Sequence, residues 1–334
     1  MEQVLVTGGL GFIGLNLISK LTSEGQYFVH NIDNFSLGHT YFDSFLSKDQ
    51  KDRVKNYRAD INERDVVKKI LNDHGIRKVF HLAAESHVDR SITGPTAFFQ
   101  SNVMGTLALV ECCREYIETN KINDFRFLHV STDEVFGDLG LDDEPFNEET
   151  PYNPSSPYSA SKASSDFIVK SWARTYGFPA IITNCSNNFG PCQNEEKFIP
   201  TILRSLLSGQ KVPVYGRGDN VRDWLYVENH VAVLEKLIVE WPSTYAQYCV
   251  GGGVEVSNLE MVRAVWSILS KHGRIDGKRW EDDVAFVIDR PGHDYRYAIN
   301  HKRLSQALGN LPSIPFNKAL EHTVKFYTQR THNL

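Results

Sequence analysis

The chain has no long apolar run, no concentrated block of one charge, and too few, badly spaced cysteines for a disulfide or zinc framework. No stretch approaches the roughly 20 apolar residues that a bilayer-spanning helix needs. Lysine and arginine number 36 against 41 acidic residues, for a net charge of −5. That balance, with no basic block, argues against nucleic acid or an anionic membrane as the main partner, since both need a concentrated basic face. The five cysteines, Cys112, Cys113, Cys185, Cys192 and Cys249, contain no C-x-x-C pair. They read as buried, unpaired thiols in a reducing compartment, and no metal site is visible. Met1-Glu2-Gln3-Val4-Leu5-Val6 runs straight into a strand pattern without a basic, apolar leader, so the cytoplasm is the expected compartment.

What is present is ordinary for a soluble enzyme: 334 residues, 41% hydrophobic and 23% charged. The first half alternates short β-rich runs with longer helical patterns. Val4–Val6, Tyr27–Ile32, Val79–Leu82, Phe125–Val130 and Ala180–Thr183 are the apolar runs. Helical patterns cover about Phe12–Glu24 and Val103–Glu118. Such alternation predicts an α/β fold, a Rossmann-type doubly wound parallel sheet with its ligand crevice at the carboxyl ends of the strands. After about Gly190 the rhythm changes. Val212–Tyr215 and Phe286–Ile288 mix with helices near Phe198–Ser208 and Leu259–Lys271. The expected division is a dinucleotide-binding domain over 1–190 and, over 191–334, mainly a smaller substrate-binding lobe. Some later strands are expected to cross back into the first domain.

Thr7-Gly8-Gly9-Leu10-Gly11-Phe12-Ile13-Gly14 follows the first strand and opens a helix. Glycines at 8, 11 and 14 let the backbone turn tightly and approach a pyrophosphate, and the helix N-terminus offers free N–H groups. Asp33 ends the next strand, about 20 residues on, as the dinucleotide fingerprint requires. Its carboxylate suits a ribose diol and repels a 2′-phosphate, so NAD is favoured over NADP. Asn34 sits beside it. Asp60 and Ile61 follow the third strand, where they either meet the adenine or simply make a turn.

Tyr158-Ser159-Ala160-Ser161-Lys162 places a phenol and an ammonium one helical turn apart on one face. The expectation is that Lys162 lowers the phenol's pKa and holds the nicotinamide ribose, while the phenolate takes a proton from a sugar hydroxyl as hydride leaves the carbon. Ser131-Thr132 ends an intervening strand.

With these motifs together, the sequence resembles the extended short-chain dehydrogenases that act on nucleotide sugars. Within them it is most similar to the dTDP-glucose 4,6-dehydratase group. The discriminating stretch is Ser131-Thr132-Asp133-Glu134-Val135-Phe136-Gly137. Others are His81 to Ser91, Asn184 to Pro191, Arg222-Asp223-Trp224-Leu225-Tyr226-Val227 and Asp289-Arg290-Pro291-Gly292-His293-Asp294. The resemblance assigns Asp133 as the acid that protonates a departing C6 hydroxyl and Glu134 as the base at C5. Two adjacent carboxyls in different surroundings can divide those jobs. Thr132 would bond the C4 hydroxyl. Leu82, Ala83, Ala84, Asn102 and Asn188 would serve NAD alongside Lys162. Ser86, Asn187, Lys197, Phe198, Pro213, Val214, Tyr215, Arg222, Asn258, Arg290, His293 and Asp294 would surround the nucleotide diphosphate. The arginine forks suit its oxygens, and Tyr215 either stacks on the base or fills the lobe's core. His87 and His293 read as structural hydrogen-bonders, not as acids or bases.

The run Asn34-Phe35-Ser36-Leu37-Gly38-His39-Thr40-Tyr41 departs from the group's usual pattern, which leaves base and hexose open. Phe136 replaces a usual tyrosine. The rival readings are a nucleotide-sugar 4-epimerase, a UDP-glucuronate decarboxylase, a UDP-sugar 4,6-dehydratase, and a silent NAD-binding sensor. A homodimer is expected through a four-helix bundle of the 103–118 and 162–176 helices, with Leu107, Leu109, Val110, Phe167, Ile168 and Trp172 as apolar positions.

Overall fold

The computed structural model describes residues 1–36, 41–240, 245–275, 279–289, 292–311 and 313–330. The strands, in chain order, are β1 (Glu2–Thr7), β2 (Tyr27–Asp33), β3 (Val54–Arg58), β4 (Lys78–His81), β5 (Arg126–Thr132) and β6 (Ala180–Cys185). They continue with β7 (Asn187–Phe189), β8 (Val212–Tyr215), β9 (Val221–Tyr226), β10 (Tyr245–Val250), β11 (Glu255–Ser257) and β12 (Val284–Val287). Seven of them form one sheet in the order β10-β6-β5-β4-β1-β2-β3. Every pairing in it is parallel. The chain builds outward from β1 through β2 to β3, then returns to the other side of β1 with β4. The crevice opens where that order reverses, as in doubly wound sheets generally.

Side chains alternate across the sheet with the strand period of two. Val4, Val6, Phe80, Leu128 and Ile181 enter one core, with Leu17 and Leu234 from the covering helices. Leu5, Val79, Phe127, Ala180 and Ile182 enter the other, with Ile70, Leu109 and Val169. Burial on both faces explains why these strands read as near-continuous apolar runs. The doubly wound parallel sheet expected from the sequence is what forms.

The helix Pro157–Tyr176 shows how local signals set its ends. Ser156 caps it with a reciprocal box with Ser159, Pro157 takes the first position, and Gly177 closes it at φ +64°. Pro fits the first turn because its missing N–H would be unpaired there, and glycine tolerates the left-handed exit. The preceding helix differs from expectation. It spans Gly105–Asn120, and Phe99–Met104 ahead of it forms a wider π turn. Asn102 lies in that turn. Its amide reaches back to the Glu85 backbone, an attraction that periodicity alone does not register.

The C-terminal part adds two small sheets. β7, β9 and β11 make a three-stranded one, with β9 central, and β8 pairs in parallel with β12. β10 returns to the edge of the main sheet beside β6. The first core is continuous into the lobe, through Ile199 and Leu203 to Met261, Val265 and Leu320. Phe80 sits on the central β4 at 0% exposure. Phe80→Ala is expected to cost about 3–5 kcal/mol by transfer loss plus cavity, measured as a shift in urea midpoint.

Candidate active site

The cleft opens at the carboxyl ends of β1, β2, β4, β5 and β6. At its glycine end, Gly8 turns at φ +71°, and a Cβ there would lie 2.7 Å from the Ala83 backbone. At Gly14 a Cβ would meet the Gly8 carbonyl oxygen at 2.2 Å, so that glycine lets the helix sit against the turn. Gly11 is different. A Cβ there would meet only the Gly8 oxygen, at 3.3 Å, and the residue lines the cleft. The space beside it is the open cleft rather than packed protein. Gly11 also caps the helix Phe12–Ser23 without any side-chain bond, which leaves that terminus's N–H groups for an anion. Phe12, Ile13, Asp33, Asn34, Ile61, Leu82 and Ala84 line the same cleft. Asp33 accepts from the N–H of Leu10 at 3.0 Å and of Phe35 at 2.8 Å, so it braces the glycine loop it faces. Asp60 lines the cleft while its Oδ1 accepts from Asn62, so the turn role and the lining role coexist.

At the other end stand Thr132, Asp133, Glu134, Tyr158 and Lys162, all lining the cleft. β5 ends at Thr132, whose hydroxyl accepts from the Glu134 N–H at 3.3 Å and caps a short 3₁₀ turn, Asp133–Phe136. The same hydroxyl donates to Asp133 Oδ1 at 3.2 Å. Asp133 is 2% exposed, and its Oδ2 has no hydrogen-bond partner. Burial, with Glu134 and Asp223 as neighbouring negative charges, pushes its carboxyl well above the usual carboxylate range, which favours the protonated form. Glu134 is only half-buried. Adjacent in sequence, the two carboxyls therefore sit in unequal surroundings. The buried Lys162 ammonium donates to the Val130 carbonyl at 2.9 Å. The expected lowering of the phenol by Lys162 is not what the geometry yields. Burial, Glu134, Cys185 and Asp133 push Tyr158 up instead. The ammonium's nearest bond is to a carbonyl, while the carboxylates face the phenol.

Several residues take other places than expected. Asn102 does not line the cleft. It is buried, and its amide joins the Glu85 backbone to Ser161 on the helix Pro157–Tyr176, so it fixes the wall from behind. Arg222 is likewise turned inward. Its guanidinium donates to the carbonyls of Val221, Asp294 and Tyr295 and lies over the Tyr297 ring, because a buried cation must be satisfied. Val214 is core, at 0% exposure. Asp294 is buried and accepts from Ser155 at 2.6 Å and from Tyr297, which ties the C-terminal part to the loop before the helix Pro157–Tyr176. His293 meets the Asp289 carboxylate at 2.6 Å and packs edge-on to Tyr215, which is 42% exposed. Phe198 packs on the main core, Pro213 is exposed, and Asn258 opens a helix by donating to the Asn220 carbonyl. Arg290 lies outside the described residues. Ser86, Asn187, Asn188 and Lys197 do line the cleft, and Lys197 donates to the Ser86 carbonyl. The Asn188 amide bonds His230 and the Ser186 carbonyl.

The whole-chain comparisons agree with this architecture. The family model for GDP-mannose 4,6 dehydratase matches residues 5–323. The chain belongs to that family. It is 42% identical over 340 residues to dTDP-glucose 4,6-dehydratase 1 of Escherichia coli K12, covering 98% of this chain and 93% of that one. It is 43% identical over 335 residues to the dTDP-glucose 4,6-dehydratase of Haemophilus influenzae, covering 98% of each. Among solved structures, the dTDP-glucose 4,6-dehydratase DesIV of Streptomyces venezuelae, crystallised with NAD, superposes with a TM-score of 0.87 at 34% identity. That match covers 99% of this chain and 98% of that one.

In this member of the dehydratase family, some site residues escape a motif search. Gly9 tolerates no side chain, since a Cβ would lie 2.3 Å from Asn31 Oδ1, which accepts its N–H. Gln193 lines the cleft with its Oε1 buried and unbonded, as is Asn187 Oδ1. Asp166 is fully buried one turn beyond Lys162. It accepts from Ser131, Tyr152 and Asn184, with His129 Nε2 at 3.1 Å. Burial would raise Asp166, but His129, Lys162 and Tyr152 hold it below its ordinary value. An aspartate at i+4 from the lysine was the available signal. Phe136 stacks in a separate small core, away from the cleft.

A carboxyl held up by burial costs folding energy above its unfolded pKa, because the unfolded carboxyl ionises there. Its folded pKa is raised, so the cost is present above the unfolded value and vanishes as pH falls below it. Asp133→Asn is therefore expected to raise stability at pH 7–8 by about 1–2 kcal/mol. The gain should shrink toward pH 4, as followed by thermal melts across pH.

Proposed function

We propose that the chain dehydrates a nucleoside-diphosphate hexose, foremost dTDP-glucose, to the NDP-4-keto-6-deoxyhexose, with NAD as cofactor. The observation that carries this reading is Asp133, a buried carboxyl with an unbonded oxygen, beside the half-buried Glu134 and against Tyr158 and Thr132. A plain dehydrogenase or epimerase has no use for that second acid–base pair. The relatives' names and the NAD in the neighbouring crystal structures support the substrate and the cofactor. The room beside Gly11, the uncapped helix terminus and the Asp33 carboxylate fit a dinucleotide, as do the unbonded Asn187 and Gln193 oxygens. In this reading residues 1–190 mainly hold NAD, and 191–334 mainly hold the nucleotide sugar.

Bound NAD supplies the hydride acceptor and returns the hydride later. Tyr158 takes the C4 hydroxyl proton while Thr132 aligns that hydroxyl; this needs the phenolate, which the positive nicotinamide ring of bound NAD would favour against the burial and carboxylates that raise the phenol. The C4 ketone acidifies C5–H, and Glu134 removes that proton. Asp133 protonates the leaving C6 hydroxyl, and Glu134 then returns its proton to C5. Lys162 fixes the cofactor end through its bond to the β5 backbone.

The test incubates purified protein with dTDP-glucose and UDP-glucose and looks for a 4-keto-6-deoxy product. In Glu134→Gln, NADH absorbance should still rise on mixing, while product formation falls roughly 10²–10⁴-fold. Near-normal turnover in that variant would remove Glu134 from the elimination step.

The same reading includes a homodimer in the cytoplasm. Buried cysteines, none in a disulfide among the described residues, support a reducing compartment. Leu109 and Val110 already cover the sheet, at 0% exposure, and are not available to a partner. Phe99 and Met104, on the π turn ahead of the helix Gly105–Asn120, are 41% and 52% exposed, and Phe167 on the helix Pro157–Tyr176 is 56% exposed; they support an apolar self-contact. Light scattering should give a dimer, and Phe167→Glu a monomer. A monomeric wild type at micromolar concentration overturns it.

A further inference from the structure

Gln193 follows β7, and it lines the cleft at 7% exposure. Its Nε2 donates to the Asn188 carbonyl at 2.9 Å. A carbonyl only accepts, so that bond fixes which way round the side-chain amide stands. Oε1, on the other side, is buried and has no hydrogen-bond partner among the described residues. An unpaired buried acceptor costs folding free energy, and in the wall of a ligand cleft a donor on the ligand accounts for it.

The segment that carries Gln193 is braced. The Asn16 amide donates to the Pro191 carbonyl at 2.9 Å, and the Tyr327 hydroxyl donates to the Gln193 carbonyl at 2.7 Å. Between them Cys192 sits at φ +68°, a left-handed conformation that a residue with a Cβ keeps only when its surroundings hold it there.

We propose that Gln193 binds the carboxamide of the nicotinamide ring: its Oε1 accepts from the carboxamide NH₂ and fixes the rotation of the ring against the hexose. This role rests on the NAD-dependent reading above. The sheet order excludes the adenine amino group as the donor. Asp33 and Asp60 follow β2 and β3 on one side of β1, whereas Gln193 follows β6 and β7, and β6 lies on the other side. Phosphates have no proton to donate. In that reading the hexose hydroxyls fall to Thr132, Tyr158 and Asp133, and the nicotinamide ribose falls to Lys162. Asn16 belongs to the helix whose uncapped terminus suits the NAD phosphates, so its bond to Pro191 ties the Gln193 segment to the cofactor's side of the cleft. The carboxamide nitrogen, with two hydrogens, is the donor left in that half. A ring pinned there keeps one face toward the hexose while hydride leaves C4 and returns to C6. The rival acceptor is Asn187 Oδ1, which is also buried and unbonded.

The experiment is competitive dialysis of the wild type and Gln193→Met against NAD and acetylpyridine adenine dinucleotide. In the second compound a methyl ketone replaces the carboxamide, so the donor is lost at nearly the same shape. Bound dinucleotides are released and quantified by chromatography. The wild type should prefer NAD by roughly tenfold or more, the scale of leaving a buried acceptor unpaired. Methionine keeps the length of glutamine without a strong acceptor, so the preference in Gln193→Met should fall to about threefold or less. A variant that binds both dinucleotides more weakly at an unchanged ratio gives Gln193 a merely structural role and overturns the assignment. So does a wild type that binds the two equally, a result that needs no variant. A preference kept in Gln193→Met but lost in Asn187→Leu hands the contact to Asn187 and overturns it too. Affinity for dTDP-glucose, read by tryptophan fluorescence, should be the same in Gln193→Met; a loss there with the NAD preference intact puts the donor on the substrate instead. A wild type with the NAD preference that makes no 4-keto-6-deoxy product upholds the carboxamide contact and sinks only the reaction assigned above.

Discussion

The parallel pairing of β1, β4, β5 and β6 is the constraint on which the rest of the site depends. In that ladder Thr7 stands opposite His81, His81 opposite His129, and Thr132 opposite Cys185. Because every strand runs the same way, every carboxyl end emerges on one edge, and residues that follow those ends meet. The glycine turn after β1, the Leu82–Ser86 loop after β4 and the Thr132–Glu134 turn after β5 share a cleft for that reason. A sheet of mixed direction would scatter them.

The ladder is reinforced by polar bonds inside the layers. His81 bonds Thr7 on β1 at 2.8 Å and Thr106 on the covering helix at 2.9 Å. Burial keeps the His129 imidazole low, at about 4, so it stays neutral beside Asp166. Asp166 in turn gathers Ser131, Tyr152 and Asn184 below Lys162 through Oδ2, while Asp166 Oδ1 and His129 Nδ1 have no hydrogen-bond partner among the described residues. Through Ser131 it ties the end of β5 to the helix Pro157–Tyr176, and Lys162 holds to the same strand at the Val130 carbonyl.

Energetically the site works against the fold. Asp133 and Asp223 are held in the interior with raised pKa values, Asp223 at about 6, and each carries a desolvation cost. Two continuous apolar cores on the faces of the sheet offset that cost. Arg222, buried on β9, is satisfied by the backbone carbonyls of Val221, Asp294 and Tyr295, so its polar chemistry goes into holding that strand to the 294–295 segment.

The doubly wound sheet was legible in the residues because strand and helix periods are local. So were the glycine turn with Asp33 and the Tyr158–Lys162 pair, since their spacing is a consequence of backbone geometry over a few residues. The adjacency of Asp133 and Glu134 was also plain. Their inequality was not: it comes from Asp223 on β9 and from burial by residues far along the chain, and desolvation is a property of packing. The same holds for Asn102 and Arg222, whose types suit a ligand but whose hydrogen bonds turn away from the cleft once the neighbouring backbone is in place. Gly9 and Asp166 show the converse, residues unremarkable in a string that become irreplaceable when Asn31 or His129 closes on them. Sequence alone determined which groups could do the chemistry. Tertiary structure decided which of them face the cleft and which proton each one holds, because direction and dielectric are set by contacts between segments, not within them.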